Sequence, residues 1–492
     1  FIKPNMVESR EYQTALANQA ISENCLIVLP TGLGKTTVAL QVIANYLSRG
    51  TGGVLFLAPT RVLTNQHYEF LRHNLNLEDI GLLTGEDTLT KRKKNWTNSV
   101  ICATPEITKN DLDREIVSTD QFSLVIFDEA HRTVGDYAYS SIANRFASKN
   151  VRIIGMTATL PAEKEKATEI ITTLRIASVA QRNEESPDVS SYIQKTNTNW
   201  VKVDLPQEMK EIQYYLRKAI EVRHDELTRC GLRLSTNVSL SQLLRVRDFV
   251  IRQNRRAAKP LFTAIRLHYA LNILEAHGVT SFLRFAERTR EKKGAGIKEL
   301  FESDPNFIRA LEFAKDAQKK GIEHSKITKL AEIIKSISGR AIVFTSYRDS
   351  VEIIHEKLVS LGISATFLIG KAGETGLKQK QQVETVQKFR DGQYRVLVAT
   401  RVGEEGLDIS EVNDVIFFDN VPSSIRFVQR KGRTGRKSSG NLTVLIAKGT
   451  IDETYYWVGQ RKIKSAQTMG DRLTRDLQKQ SENLPTGLDA YF

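Results

Sequence analysis

The segment Pro30-Thr31-Gly32-Leu33-Gly34-Lys35-Thr36 follows an apolar run, Cys25–Leu29, and opens a helical pattern over Thr36–Leu47. Strand, Gly-rich turn and helix in that order form a phosphate cradle. Gly32 and Gly34 let backbone N–H groups turn toward phosphate oxygens without a Cβ in the way. The start of the next helix adds a field that favours an anion. Lys35 is expected to reach the β- and γ-phosphates, and the Thr36 hydroxyl to bind Mg²⁺. Pro30, Thr31, Leu33 and Thr37 complete the expected ATP contacts. Ninety-two residues after Thr36, the apolar run Leu124–Phe127 ends in Asp128-Glu129-Ala130-His131. Carboxylates at the C-terminal end of a buried strand stand where α/β folds bind ligands. Asp128 is expected to hold Mg²⁺, and Glu129 to position and deprotonate an attacking water. Phosphoryl transfer asks little more of a protein than positioning and charge.

These residues need a rigid frame. Apolar runs bounded by turn residues recur at Cys25–Leu29, Val54–Ala58, Val100–Ala103, Leu124–Phe127 and Arg152–Met156, with helical patterns between most of them. Strands buried on both faces and alternating with helices read as a parallel α/β sheet. The pattern returns at Ala341–Thr345, Val396–Ala399, Val415–Phe418 and Leu442–Ile446. Between the two lies a helical stretch, Gln207–Cys230, Ser239–Lys259, Phe262–Ala276 and Asn306–Lys319. The expected organisation is lobe one at 1–204, a helical insertion at 205–325, lobe two at 326–468 and a polar tail at 469–492. The fold class is α/β: two parallel-sheet lobes with an all-helical insertion between them.

Charge is uneven. The chain has 71 Lys+Arg against 57 Asp+Glu, a formal net charge of +14. Residues 205–325 hold 23 of the basic and 15 of the acidic groups, and so carry +8 of that excess. Such an excess suits a polyanion. The three cysteines, Cys25, Cys102 and Cys230, are far apart and form no CxxC pair. That spacing argues against a disulfide framework or a zinc site, and Cys25 and Cys102 read as small core residues. No signal peptide and no apolar run of about 18 residues or more is visible, so no membrane partner is expected.

The two phosphate-site segments resemble those of superfamily 2 helicases, and further motifs follow in order. Arg10-Glu11-Tyr12-Gln13 looks like the adenine-sensing segment, with Gln13 on the base. Ala58-Pro59-Thr60-Arg61 and Ala103-Thr104-Pro105-Glu106 look like lobe-one motifs that touch the nucleic-acid backbone. Thr157-Ala158-Thr159 looks like the segment that couples hydrolysis to lobe movement, in which His131 also takes part. Ile342–Ser346 and the segment from Ala399 to Asp408 match the fourth and fifth motifs. The resemblance implies nucleic-acid contacts at Ser346 and Thr400 and nucleotide contacts at Gly406 and Asp408. Gln429-Arg430-Lys431-Gly432-Arg433-Thr434-Gly435-Arg436 matches the sixth. It implies catalytic roles for Gln429, Arg433 and Arg436, the arginines acting as fingers on the γ-phosphate when the lobes close. Arg430 and Lys431 read equally well as surface charges.

The helical insertion narrows the resemblance to the group containing archaeal Hef, the Fanconi-anaemia group M helicase, and the RIG-I and Dicer helicases. Hef is the nearest in Phe1–Gln13 and Leu26–Thr36. This implies branched DNA, stalled forks or four-way junctions, as the substrate. It implies a nucleoid-associated place in an archaeal cell or a nuclear one in a eukaryote. Hef often carries a nuclease after its helicase, so a nuclease domain or subunit is a possible partner; no ERK-type nuclease signature stands here. Two other readings stay open: an RNA-handling member of the group, and a scaffold that uses ATP as a switch without unwinding.

Within the insertion, Arg245, Arg252, Arg256 and Lys259 fall at offsets of 7, 11 and 14. At about 100° per residue they would share one face of a single helix. They are expected to lie along duplex phosphates. At the end of the chain, Leu488, Tyr491 and Phe492 have the spacing of a sliding-clamp-binding peptide, with Pro485 where glutamine usually stands.

Overall fold

The computed structural model describes residues 1–482 apart from 86, 136–137, 147–149, 193–195, 234, 236–237, 371–375, 404–408, 410–411 and 435–439. Gly406, Asp408, Arg436, Leu488, Tyr491 and Phe492 therefore lie outside the described residues.

Short apolar runs become strands because both faces of a parallel sheet are covered. The first sheet holds β1 (Cys25–Val28), β2 (Gly53–Leu57), β3 (Ile80–Leu83), β4 (Val100–Ala103), β5 (Phe122–Asp128), β6 (Arg152–Thr157) and β7 (Ser178–Gln181). Their order is β3-β4-β2-β5-β6-β1-β7. The second holds β8 (Thr196–Val203), β9 (Ala341–Phe344), β10 (Ala365–Leu368), β11 (Val396–Ala399), β12 (Asp414–Phe417) and β13 (Gly440–Ala447), in the order β10-β11-β9-β12-β13-β8. Each lobe has two apolar clusters, one per sheet face. Cys25 and Cys102 are fully buried in the first lobe, as expected.

The boundary expected at 204 falls elsewhere. β8 pairs in parallel with β13, so residues 196–203 belong to the second sheet. The strand escaped the apolar-run criterion because Thr196-Asn197-Thr198-Asn199-Trp200 is an exposed edge, and only a central strand must be apolar throughout.

The insertion is helical, over Gln207–Arg229, Leu240–Gln253, Ala258–His277, Val279–Arg290, Ala295–Glu302 and Pro305–Lys319. The single-helix ridge does not form. The second helix stops at Gln253, where Asn254 leaves helical geometry (φ −137°, ψ 67°) and its amide donates to the Cys230 carbonyl at 2.9 Å. Arg256 sits in the short turn that follows. Lys259 starts the next helix and pairs with Glu299. Arg245 and Arg252 alone share a helix.

The expected polar tail differs as well. A single helix, Ile451–Glu482, leaves lobe two and crosses to lobe one. Met469 and Leu473 are buried in the lobe-one core, with Leu477 packed against it. Lys462 meets Glu163 at 2.7 Å, and Lys164 meets Asp476 at 2.8 Å. The apolar residues recur every three or four positions among many charges, so average polarity hid an amphipathic face.

Candidate active site

The motif residues gather at the C-terminal ends of the strands of both sheets, and the phosphate loop follows β1. Gly32 and Gly34 have φ of +91° and +82°, a conformation that costs any residue with a Cβ. At Gly34 there is a second constraint: a Cβ would lie 2.3 Å from the Gln13 amide nitrogen. That nitrogen donates to the Leu33 carbonyl at 3.0 Å, and the Gln13 oxygen accepts from the Arg10 backbone N–H at 3.1 Å. The Tyr12 hydroxyl also donates to Leu33 O, at 2.9 Å. The segment expected to sense adenine is thus hydrogen-bonded directly to the phosphate loop. Lys35 begins the helix Lys35–Arg49, and its ammonium donates to the Leu29 carbonyl at 3.0 Å. Pro30, Thr31, Thr36 and Thr37 lie beside it, as their place in the loop requires.

Asp128 ends β5 and is buried. Burial alone would raise its carboxyl. The His67 imidazole at 2.8 Å and the Lys35 charge outweigh that and hold it below the usual carboxylate range. The Tyr139 hydroxyl braces the same turn, 2.9 Å from the Asp128 carbonyl and 3.2 Å from that of Leu57. Glu129 has a left-handed backbone, φ +51°. In a residue with a Cβ this costs about 1–2 kcal/mol, and it turns the carboxylate away from the strand into the cleft. His131 Nδ1 lies 3.3 Å from the Glu129 carboxylate and 3.2 Å from the Thr157 hydroxyl. Thr157 in turn donates to the Thr159 carbonyl at 2.9 Å. The three expected coupling residues are therefore joined by hydrogen bonds through the Thr157 hydroxyl at the end of β6, with the Glu129 carboxylate beside His131.

Lobe two closes the cleft. The helix Ser424–Lys431 and the turn after it bring Gln429 and Arg433 to face Lys35, Thr36, Asp128 and Glu129. At Gly432 a Cβ would lie 2.8 Å from Thr31, so lobe-two backbone touches the phosphate loop. Gln429 is 3% exposed, yet neither its amide nitrogen nor its oxygen has a hydrogen-bond partner among the described residues. An unpaired buried amide costs about 1–3 kcal/mol. A phosphate oxygen or a water placed in this cleft would relieve that cost, so the residues present fit a nucleotide.

Arg430 is fully buried, which settles the choice left open for it. Its guanidinium donates to the Asp419 carbonyl at 3.1 Å and lies over the rings of Phe344 and Phe417. Lys431 does reach the surface, where it pairs with Glu184 of lobe one at 2.6 Å. Asp419 is also held by the Thr345 hydroxyl and by the backbone N–H and hydroxyl of Ser346. Burial pushes its carboxyl up. The charges of Arg430, His277 and Lys326 and the Ser346 N–H override that and bring it down to about 2.

Two family models match: the DEAD/DEAH box helicase over residues 10–167 and the helicase conserved C-terminal domain over 325–438. A putative ATP-dependent RNA helicase of Methanocaldococcus jannaschii is 36% identical over 92% of this chain, and an ATP-dependent DNA helicase of Neurospora crassa is 32% identical over the same share. This chain spans 60% and 42% of the length of those two relatives. The crystal structure of the Pyrococcus furiosus Hef helicase domain superposes with a TM-score of 0.69 and 37% identity, covering 93% of this chain and 99% of that one. The chain belongs to the Hef-type superfamily 2 helicases. ATP binding and hydrolysis are the chemistry of its helicase domains.

In this Hef-type helicase the residues expected to touch nucleic acid lie at helix starts in lobe one and just after strands in lobe two. The Thr60 hydroxyl caps the helix Arg61–Asn74 by accepting from the Leu63 N–H at 3.3 Å. Thr104 and Pro105 begin the helix Pro105–Asp113. Thr400 follows β11 and is buried, while the Ser346 hydroxyl is engaged with Asp419. Sequence reading missed His67, Tyr139 and Asp419. Asp419 follows the apolar run Val415–Phe418 and could have been found by that position. His67 and Tyr139 reach the site across the fold and carry no local signal. No helix among the described residues is long and apolar enough to cross a membrane.

Proposed function

We propose that this chain is the motor of an ATP-driven DNA helicase or translocase that works on forks and four-way junctions. The observation that carries the motor part of the reading is Gln429: a buried amide on lobe two, without a partner among the described residues, facing Lys35, Asp128 and Glu129 on lobe one. Such a cleft is complete only when the lobes share a ligand. Mg²⁺–ATP, when bound, supplies the γ-phosphoryl group and a metal charge to neutralise it. Thr36 and Asp128 would hold the metal. Lys35 neutralises phosphate charge, Glu129 orients a water and takes its proton, and Gln429 and Arg433 stabilise the charge that develops. The same reading extends to Arg436, Gly406 and Asp408 from their motifs. Arg245 and Arg252, exposed on one insertion helix, supply phosphate contacts that position a duplex without reading its sequence.

The test is the ATPase rate with no nucleic acid, single-stranded DNA, duplex, fork and four-way junction DNA, and duplex RNA. Lys35→Ala is run beside the parent. Highest stimulation on fork or junction DNA supports the reading. Highest stimulation on duplex RNA transfers the motor to RNA, the nucleic acid named for the Methanocaldococcus relative. No stimulation by any nucleic acid sinks the motor and leaves an ATP-switched scaffold. A clamp-binding role for Leu488, Tyr491 and Phe492, and a nuclease partner, remain sequence-based parts of this proposal. Loss of binding between the clamp and the terminal peptide on Phe492→Ala would support the first.

A further inference from the structure

The helix Arg61–Asn74 touches three working parts at once. It starts at Thr60 and Arg61, in the segment assigned to the nucleic-acid backbone. Within its first turn Val62 packs against the apolar core of lobe two. Two turns in, His67 places Nε2 2.8 Å from the Asp128 carboxylate oxygen. A helix rises about 1.5 Å per residue, so roughly 10 Å of rigid backbone separates the nucleic-acid end from the carboxylate.

The imidazole is built in rather than draped across the site. His67 is 7% exposed, and its ring lies against Phe56 of β2 with centroids 4.4 Å apart. The Thr64 hydroxyl, on the preceding turn, bonds the Thr60 carbonyl at 2.9 Å and lies 3.3 Å from that of Ala58. The helix start is thereby fastened to the end of β2. Phosphate chemistry itself gives a buried histidine no role at this carboxylate, since Lys35, Thr36, Glu129, Gln429 and Arg433 already supply every expected function. A buried histidine bonded to the metal-holding group, on the helix that begins at the nucleic-acid motif, needs another account.

We propose that His67 is a positioning residue that couples nucleic-acid binding to ATP hydrolysis. A backbone phosphate engaging Thr60 and Arg61, or a shift of lobe two against Val62, moves the helix as a body. The His67–Asp128 hydrogen bond then carries that displacement to the carboxylate. This rests on the proposed motor reading, in which Asp128 holds the metal and Thr60 and Arg61 meet nucleic acid.

His67→Ala removes the bond, and His67→Gln keeps an N–H of similar reach. Both are compared with the parent after thermal melting has shown them folded. The ratio of fork-stimulated to basal ATPase should fall roughly tenfold in His67→Ala, the scale of one lost charge-assisted hydrogen bond. His67→Gln should recover most of it. Independently of turnover, fluorescent ADP should lose more affinity in His67→Ala with Mg²⁺ present than with EDTA. A folded His67→Ala variant with the parent's stimulation ratio overturns the coupling. So does a His67→Gln variant as defective as His67→Ala, because the hydrogen bond would then not be what matters. A parent that no nucleic acid stimulates brings down the underlying motor reading as well, and is told apart by needing no variant.

Discussion

Gly34 answers to two demands: a positive φ, and a backbone so close to Gln13 that a single methyl would collide with the amide. Gly34→Ala should therefore weaken nucleotide binding even with Lys35 intact, by about five- to thirtyfold if the cost of the left-handed backbone, about 1–2 kcal/mol, falls on the bound loop. Titration with a fluorescent ATP analogue measures it. Glu129→Gln removes the proposed base while keeping size and shape. It should lower kcat about 10²–10⁴-fold and leave analogue affinity within a few-fold. A variant that loses affinity and rate together would mean that Glu129 binds the nucleotide rather than the water. The phosphate loop and the Asp-Glu pair were legible in the sequence because their chemistry is local: strand, turn and helix follow within a dozen residues. His67 and Asp419 were not. Asp419 lies 73 residues from its partner Ser346, and His67 lies 61 from Asp128, so only the sheet order brings each pair together.

The helix that carries Gln429 is anchored by Arg430, buried against Asp419 and two phenylalanine rings. Removing one partner of a buried pair strands the other charge, a cost of about 3–5 kcal/mol. Arg430→Ala should show that loss as a lower urea midpoint, and lobe two should account for it. The returning helix makes a second case. Met469→Ala should cost about 2–5 kcal/mol, and the loss should appear in lobe one, although the residue stands far along the chain from it. Hydrogen exchange that speeds in β7 and the helix Lys164–Thr173 rather than in the second sheet would verify the placement. Strand runs were legible where the strand is central and apolar. β8 was missed because it is a polar edge. The end of the insertion's second helix was missed because Asn254 terminates it through a bond to the distant Cys230 carbonyl.

Taken whole, the molecule hides histidines in its insertion. His268 and His277 are both brought down to about 4, chiefly by burial. An exposed imidazole titrates near 6.5. Between about pH 6.5 and 4 the unfolded chain therefore binds protons that the folded one refuses, and stability must fall with pH across that window. The urea midpoint should drop from pH 7 to pH 5, and His268→Gln should flatten the slope. An unchanged slope would mean that His268 is solvated in solution.

The long closing helix has a practical corollary. Ile2 bridges Leu75, and Asp476 pairs with Lys164, so the first and last described segments both ride on lobe one. Fluorophores at the two ends would report a constant separation however far the lobes swing apart. A pair on Ser48 and Ser360, one exposed serine per lobe, would register the swing. Cys25 and Cys102 are too deeply buried to take up label, so engineered thiols at those serines would compete only with half-buried Cys230.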